Sequence, residues 1–495
     1  MHASPTRTWS RYCRDLMMFS LLVGLPGCTT AGPEYQRPEV QVPAHWGEGA
    51  ATISNGDQDG LRTWWHSFHD PMLDSLVEQT LMQNQDLEIA LARLRQARAE
   101  RVQTASASGP VVSADGTGET LRSSKALTSQ SGGESRAWHL GIDASWDVDL
   151  FGRTRRALEA DDAGIEALAE DHRALQVSLV AELVSSYAEL RAAQGRLAIA
   201  HDNIRVLGDA ERLSEQAHRR GLGSLADVLQ ARAEREAAEA KPVVLEADIA
   251  RLGHAIGVLA GGFPGDWQDA LGTASPMVPM RTDLPLSMPS DVIRQRPDLR
   301  AAERRLAAAS ARIGVAEAER FPRFRIPLGT GTTASVIQHL FSGASLAWSV
   351  AMQGSQSLYD GGRVDAQVDA ARADAGAARL AYERDVRLAL RDVEDALTAW
   401  THERQRQTSL NKAVITSQQA LEHSTTLYER GLSAYLPVLL AQRTVNQARD
   451  ELALSRLEEM RGLIALYKSV GAGWQDVPSN QEGDQSDGFQ MSAAQ

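Results

Sequence analysis

The chain has 495 residues, 43% of them hydrophobic and only 5% aromatic, and its formal net charge is −13 at pH 7. That length suits a folded protein of two or three domains, and the acidic balance disfavours nucleic acid as a partner, whose phosphates attract basic surfaces. Few rings and many Ala, Leu, Arg and Glu residues favour long helices packed through small side chains.

The N-terminus reads as an export signal. Arg7, Arg11 and Arg14 precede an apolar stretch over residues 16–25, and small residues follow, the order a secretory signal needs. Ten apolar residues are too few for a helix across a ~30 Å bilayer, which takes about 20, so residues 1–27 are expected to be cleaved rather than retained. Leu25-Pro26-Gly27-Cys28 resembles the bacterial lipobox, which implies an S-diacylglycerol and N-palmitoyl group on Cys28 as the new first residue. Thr29 is not the aspartate that retains such lipoproteins at the inner membrane, so sorting to the outer membrane is expected. Cys13 leaves with the signal, and the mature chain then has no thiol for a disulfide. Residues 28–70 are expected to form a lipid-anchored linker.

A helix is expected over about 72–107, ending before Pro110. A β-hairpin follows at about 110–150, with its loop near 123–135. In its second strand Trp138, Leu140, Ile142, Ala144, Trp146, Val148 and Leu150 alternate with His139, Gly141, Asp143, Ser145, Asp147 and Asp149. That period of two is the mark of a strand with one apolar face. Residues 153–220 contain no proline, and at ~1.5 Å per residue they can make a helix of roughly 100 Å. A turn at Gly221, Leu222, Gly223 and Ser224 reverses the chain into a second helix over about 225–259, and a linker is expected at 261–289.

The remainder repeats this plan. Asp86, Leu87, Ala90, Arg93 and Leu94 match Asp298, Leu299, Ala302, Arg305 and Leu306 at an offset of 212, and Pro110 matches Pro322 at the same offset. Further on the offset is 210, through Gly152/Gly362, Arg153/Arg363, Gly221/Gly431 and Leu222/Leu432. The chain is therefore an internal tandem duplication, with repeats at 71–260 and 290–474. In the second repeat a hairpin is expected at about 323–359, its loop at 335–343 and Trp348 on its apolar stripe. Residues 363–430 again lack proline, and Val386, Leu390, Val393, Leu397 and Trp400 recur at spacings of three and four, the seam of a coiled coil. A tip at Gly431, Leu432, Ser433 and Ala434 precedes the last helix, over about 436–470. The tail, 475–495, is polar and Gly/Ser-rich, and disorder is expected there.

The strand pattern suits a membrane barrel, apolar toward lipid and polar toward a lumen, with aromatics at both interfaces. Trp138 and Trp146 stand eight residues apart, about 20 Å in depth for a strand tilted by about 40°. Two hairpins supply only four strands, and an open sheet edge inside a bilayer leaves backbone groups with neither water nor partner. Several chains must share one barrel, and twelve strands from three chains would leave an open lumen.

These residues resemble the TolC-like outer-membrane factors, in particular the NodT-family lipoproteins of tripartite efflux systems. The resemblance is carried by "GPEYQRPEVQVPAHW" after Cys28, "TWWHSFHDPMLDSLVEQTL" from Thr63, "WDVDLFGRTRRA" from Trp146, "RQRPDLRAAERRL" from Arg294, "LYDGGRVDAQ" from Leu358 and "YERGLSAYLPVLLAQR" from Tyr428. It implies an α+β membrane protein, a homotrimer whose 12-stranded outer-membrane β-barrel continues into a periplasmic α-helical barrel. It implies a passive duct that takes small molecules, such as drugs or other toxic compounds, from an inner-membrane pump of the resistance-nodulation-division (RND) type through a periplasmic adaptor (membrane fusion) protein. The two tips, Gly221 to Ser224 and Gly431 to Ala434, match the segments that meet the adaptor. The periplasmic aperture falls at Leu436, Leu440 and Arg443, and Leu440 stands where relatives carry an aspartate in "LDAQR", which implies an apolar constriction here. Asp143, Asp147 and Asp149 would face the barrel lumen and favour cations, an effect that Arg323 and Arg325 can offset. Trp138, Trp146 and Trp348 would form the aromatic girdle.

A lipid-anchored periplasmic coiled-coil scaffold or adhesin would share Cys28 and the long hairpins, but has no use for strands with an apolar and a polar face. An enzyme is disfavoured. The 12 histidines are scattered, His66 and His69 lack metal spacing with an acid pair, and neither a nucleophile elbow nor a phosphate loop is present. No cofactor is expected beyond the lipid on Cys28.

Overall fold

The computed structural model describes residues 30–47, 53–54, 59–122, 134–273, 284–285 and 289–474. Cys28 with its signal, most of the first hairpin loop, much of the 261–289 linker and the 475–495 tail therefore lie outside the described residues. The chain is built of helices α1 Pro71–Gln83 and α2 Gln85–Ser106, strands β1 Val111–Arg122 and β2 Glu134–Val148, and helices α3 Arg153–Arg219, α4 Leu225–Ala238 and α5 Ala240–Leu259. The second repeat supplies α6 Pro297–Ala318, β3 Arg323–Ala334, β4 Leu346–Val350, β5 Gln353–Ser355, α7 Arg363–Glu429 and α8 Leu436–Ser469. Among the described residues no helix is long and apolar enough to cross a membrane.

The proline-free stretches become α3 and α7, each 67 residues long, about 100 Å at 1.5 Å per residue. Two of the expected helices are each divided. The first breaks at Asn84, whose extended backbone follows α1. The Asn84 side chain accepts from the Asp86 N–H at 2.9 Å and donates to the Leu259 carbonyl at 2.9 Å, so it ends one helix and starts the next. The helix after the first tip is interrupted at Glu239, between α4 and α5. Pro242 is the cause, since it donates no N–H and its ring crowds the carbonyl four residues back, that of Ala238. In α8 the prolines stop at Pro437 in the first turn, and the helix runs unbroken for 34 residues.

Compactness groups matching parts of both repeats rather than separating the repeats. One unit takes Arg93–Leu168 and Ala302–Tyr382 with the described part of Met1–Glu39, and the other takes Val40–Ala92, Ala169–Ala301 and the described part of Glu383–Gln495. In the second unit Val386, Val393, Leu397 and Trp400 are buried as the seam spacing demands, with Leu390 packed beside them. Trp64 stacks on Tyr467 with ring centroids 4.8 Å apart. Asp70 caps α1 by accepting from the Met72 N–H at 3.0 Å, and its other oxygen accepts from the Tyr187 hydroxyl at 2.5 Å. Arg191 donates to that hydroxyl at 2.8 Å and to the Thr273 carbonyl at 2.6 Å. A polar chain, buried at Tyr187 and Arg191, thus fastens the start of α1 and the linker after the first repeat to α3. Its bonds satisfy the Tyr187 hydroxyl and two of the Arg191 nitrogens, which makes it tolerable beside an apolar core, while the buried Arg191 Nε has no partner.

In the first unit the strands make one antiparallel sheet in the order β1, β2, β3, β4, with β5 also paired to β3. β4 and β5 are one strand interrupted opposite Pro327. Leu328 pairs with Val350 and Arg325 with Gln353, in one continuous register, and the Ala351 N–H still donates to the Pro327 carbonyl at 3.1 Å. Pro327 has no N–H to return, so the ladder lapses there.

Candidate functional site: strand sheet and hairpin tips

The register decides which side chains share a face. Val112 lies opposite Ala144, Ile142 opposite Thr330, Trp146 opposite Ile326 and Thr330 opposite Trp348. One face therefore carries Val112, Ile142, Trp146, Ile326 and Trp348 together with Trp138. The opposite face carries Asp115, His139, Asp143, Asp147 and Arg325. Trp138, Leu140, Ile142, Trp146, Leu346, Trp348 and Val350 are all exposed, so among the described residues nothing covers the apolar face. A continuous exposed apolar surface on a sheet marks contact with lipid or another chain.

On the polar face His139 lies 3.3 Å from Asp115 and 3.1 Å from the Thr333 hydroxyl. Asp147 forms a salt bridge with Arg325 at 2.8 Å. That pair joins strands from the two repeats. Asp143 stays on this face, opposite Gly329, where an added Cβ would come within 2.7 Å of its Oδ1. Asp149 lies past the end of β2, and its carboxylate accepts from the Arg155 N–H at 3.0 Å. It therefore works as a cap at the start of α3 and has no place on the strand face. Trp146 is anchored by its indole N–H, which donates to the Ser108 carbonyl at 2.8 Å.

Gly152, between β2 and α3, has φ +80°, and a Cβ there would stand 2.3 Å from Thr30 Cγ2. Thr30 and Ala31 are thereby held against the strand-to-helix junction. The Ala31 N–H donates to the Phe151 carbonyl at 3.1 Å, and Arg156 donates to the carbonyls of Ala31 and Gly32 at 2.9 and 3.2 Å. No sequence pattern marks this strap, which packs so closely that a Cβ on Gly32 would stand 2.4 Å from the Gly314 Cα.

The tips share one turn. At the first, the Leu222 N–H donates to the Ala217 carbonyl at 2.8 Å and the Gly221 N–H to the His218 carbonyl at 2.9 Å. At the second, Leu432 and Gly431 do the same to Leu427 and Tyr428, both at 2.9 Å. With φ +74° at Gly221 and +71° at Gly431, both are Schellman caps. After Gly223, Ser224 and Asp227 form a reciprocal capping box that opens α4. After Ser433 and Ala434, Tyr435 and Pro437 open α8 without a capping side chain. Leu222 and Leu432 project into the open at both tips.

Past the second tip α8 turns Leu439 inward, 1% exposed, beside Tyr435, Val438 and Ala231, while Leu436 and Leu440 stay outward, each 52% exposed. Burial pushes the Tyr435 hydroxyl up to about 12. Polar bonds tie α8 to its neighbours at successive turns. Arg443 forms a forked salt bridge with Glu234 of α4. Arg449 meets Asp202 of α3 at 3.2 Å, and Asp450 takes Arg196 of α3 and Lys241 of α5, both at 2.8 Å. Between the first two, Asn446 donates to Asn203. Burial raises the Asp450 pKa, but the bonds from Arg196 and Lys241 outweigh it and hold the group below the ordinary carboxylate range. Bonds from Arg232 and Arg235 lower Glu211 likewise, and a bond from Arg205 lowers Asp202.

The sequence profile of the family described as "Outer membrane efflux protein" matches residues 76–262 and 288–472. Nodulation protein T of Rhizobium leguminosarum bv. trifolii is 31% identical over 466 residues, covering 93% of this chain and 97% of that protein. The probable efflux pump outer membrane protein TtgC of Pseudomonas putida is 30% identical over 459 residues, 91% of this chain and 93% of TtgC. Among solved structures, the outer-membrane channel OprN superposes with a TM-score of 0.85 at 37% identity, covering 90% of this chain and 99% of that one. CusC superposes with a TM-score of 0.80 at 25% identity, over 89% and 99%.

Proposed function

The chain belongs to the outer membrane efflux protein family, and we propose that it works there as a passive, multichain duct in which three copies share one barrel. It is an outer-membrane channel component of a tripartite efflux system, with a large periplasmic helical part. The observation that carries the duct is the sheet itself. Four strands expose an apolar face and a polar face, and their two outer edges, β1 and β4–β5, have no neighbour among the described residues. Neither water nor lipid serves such a sheet alone, whereas a closed ring of copies puts the apolar face to lipid, the polar face to a lumen and pairs every edge.

The chain itself supplies no chemistry in this reading: it conducts what a pump delivers. The exposed leucine-bearing tips would dock a periplasmic adaptor, and an RND-type pump would drive small molecules through. Leu440, outward on α8, would narrow the periplasmic end by apolar packing rather than by a ring of carboxylates. A lipid on Cys28, delivered beside the Gly152 junction by the strap at Thr30 to Gly32, would tether each copy without being what spans the membrane. The test is to delete this protein and its candidate pump separately and together, and to measure accumulation of a panel of toxic compounds. Equal accumulation in the single and double deletions is expected, and additive defects would contradict a shared route.

A further inference from the structure

Near the tips, α3, α7 and α8 leave a cavity of about 380 Å³ between them, lined wholly by residues of one unit. The helix period puts its lining on one face of each helix. Leu207, Ala210 and Leu213 follow at spacings of three on α3, and Leu421, Thr425 and Glu429 at spacings of four on α7. Val438 and Leu439 close the cavity from α8. The α7 face runs from apolar to hydroxyl to acid toward the tip, so the cavity has an apolar floor and a polar mouth. Ligand pockets have this size and this make-up, apolar walls with a few placed polar groups.

Two lining groups lack partners inside the chain. Tyr435 is 2% exposed and its ring packs on Tyr428 with centroids 5.5 Å apart, yet its hydroxyl has no hydrogen-bond partner among the described residues. A buried tyrosine hydroxyl ordinarily finds one, because leaving it unpaired is costly. Glu429 stands exposed at the mouth and forms no ion pair among the described residues. The other acid of the lining, Asp209, is already held by Arg205 and Arg212. One uncompensated negative charge therefore remains with an aromatic ring in the same lining, and both attract a cation.

We propose that this cavity binds a small amphipathic organic cation, with its apolar body among the leucines, its charge toward Glu429 and an oxygen or nitrogen acceptor at the Tyr435 hydroxyl. The site also has a route to the duct. Leu439 lines the cavity, while Leu440, the next residue, faces outward on the segment assigned above to the periplasmic aperture. An occupant wedged between α3, α7 and α8 bears on the end of α8 that carries Leu440, so its binding changes how the duct opens. That effect rests on the duct proposed above, whereas the binding site lies within one chain and does not.

Berberine, a planar aromatic cation with ether oxygens whose fluorescence rises when it leaves water, is the probe, titrated against the full-length protein in detergent. Saturable binding at one site per chain is expected. Glu429→Gln should weaken it about tenfold, the loss of one charged contact, and Tyr435→Phe should weaken it by a smaller factor. Ala210→Phe, which puts a ring into the cavity, should abolish it; if that variant gives no SDS-resistant oligomer, Glu429→Gln decides alone. Absence of saturable binding, or equal affinity in Glu429→Gln, overturns the site. N-phenylnaphthylamine, apolar and uncharged, should bind about tenfold more weakly for want of the charge, and tighter binding of it overturns the cationic class. In planar bilayers, berberine at the concentration that saturates the site should change the opening frequency of the unmodified channel and leave Glu429→Gln unaffected. Saturation without a change in opening overturns the effect on the aperture. Intact binding by a protein that forms no channel overturns the duct instead, and the site then stands.

Discussion

Replacing Ile142 with arginine separates a lipid-facing sheet from a solvated one. Ile142 is 53% exposed and sits four residues from both Trp138 and Trp146 on the apolar face. Four residues are about 13 Å of strand, or about 10 Å of depth at a tilt of about 40°, so the side chain falls midway between the two tryptophans. If those rings mark the interfaces, an arginine at that depth costs about 2–4 kcal/mol per chain, equivalent to about 30- to 700-fold in the insertion equilibrium. Were the face in water, the same change at an exposed site would stay within about ±0.5 kcal/mol. Asp143→Arg, one residue along and on the polar face, is the matched control and should cost far less. The assay is the temperature at which the SDS-resistant oligomer dissociates, together with the fraction that resists carbonate extraction. The reasoning is refuted if Ile142→Arg matches the unmodified protein, or if Asp143→Arg is the more damaging change.

Gly221→Ala meets no atom within 4 Å at φ +74°, so it should cost only the left-handed backbone strain of about 1–2 kcal/mol. Gly152→Ala adds the collision with Thr30 and should lower the unfolding temperature further. Glu211, Asp202 and Asp450 have pKa values lowered by folding. Their contribution to stability is complete above the ordinary carboxylate range of about 4 and is lost as pH falls through the lowered values. Thermal stability should therefore be flat from about pH 7 to 5 and decline below about 4, with a shallower decline in Glu211→Gln; a rise on acidification would contradict this. Leu440→Asp should change single-channel conductance or opening frequency, and unchanged records would remove Leu440 from the aperture.

Much of the architecture was legible because it rests on local rules. Absence of proline set the length of α3 and α7, the three-four spacing from Val386 to Trp400 set the buried seam, and the alternation from Trp138 to Val148 set the faces of β2. What escaped depends on contacts distant in sequence. Asn84 reads as an ordinary polar residue until its amide reaches the Leu259 carbonyl. The chain of Asp70, Tyr187, Arg191 and Thr273 joins residues up to about two hundred positions apart, and no periodicity announces it. Asp149 kept the alternation of β2 on paper, yet the strand had ended and the carboxylate served the next helix. Pro242 was a local signal for the division between α4 and α5, and the return helix was nevertheless expected to be continuous.

Planar-bilayer recording from the purified protein, with the SDS-resistant oligomer and the heat-dissociated monomer added separately, tests the shared barrel most directly. Discrete conductance steps from the oligomer and silence from the monomer are expected. Steps of equal size and frequency from the monomer, or none from the oligomer, would contradict a pore built from strands of several chains.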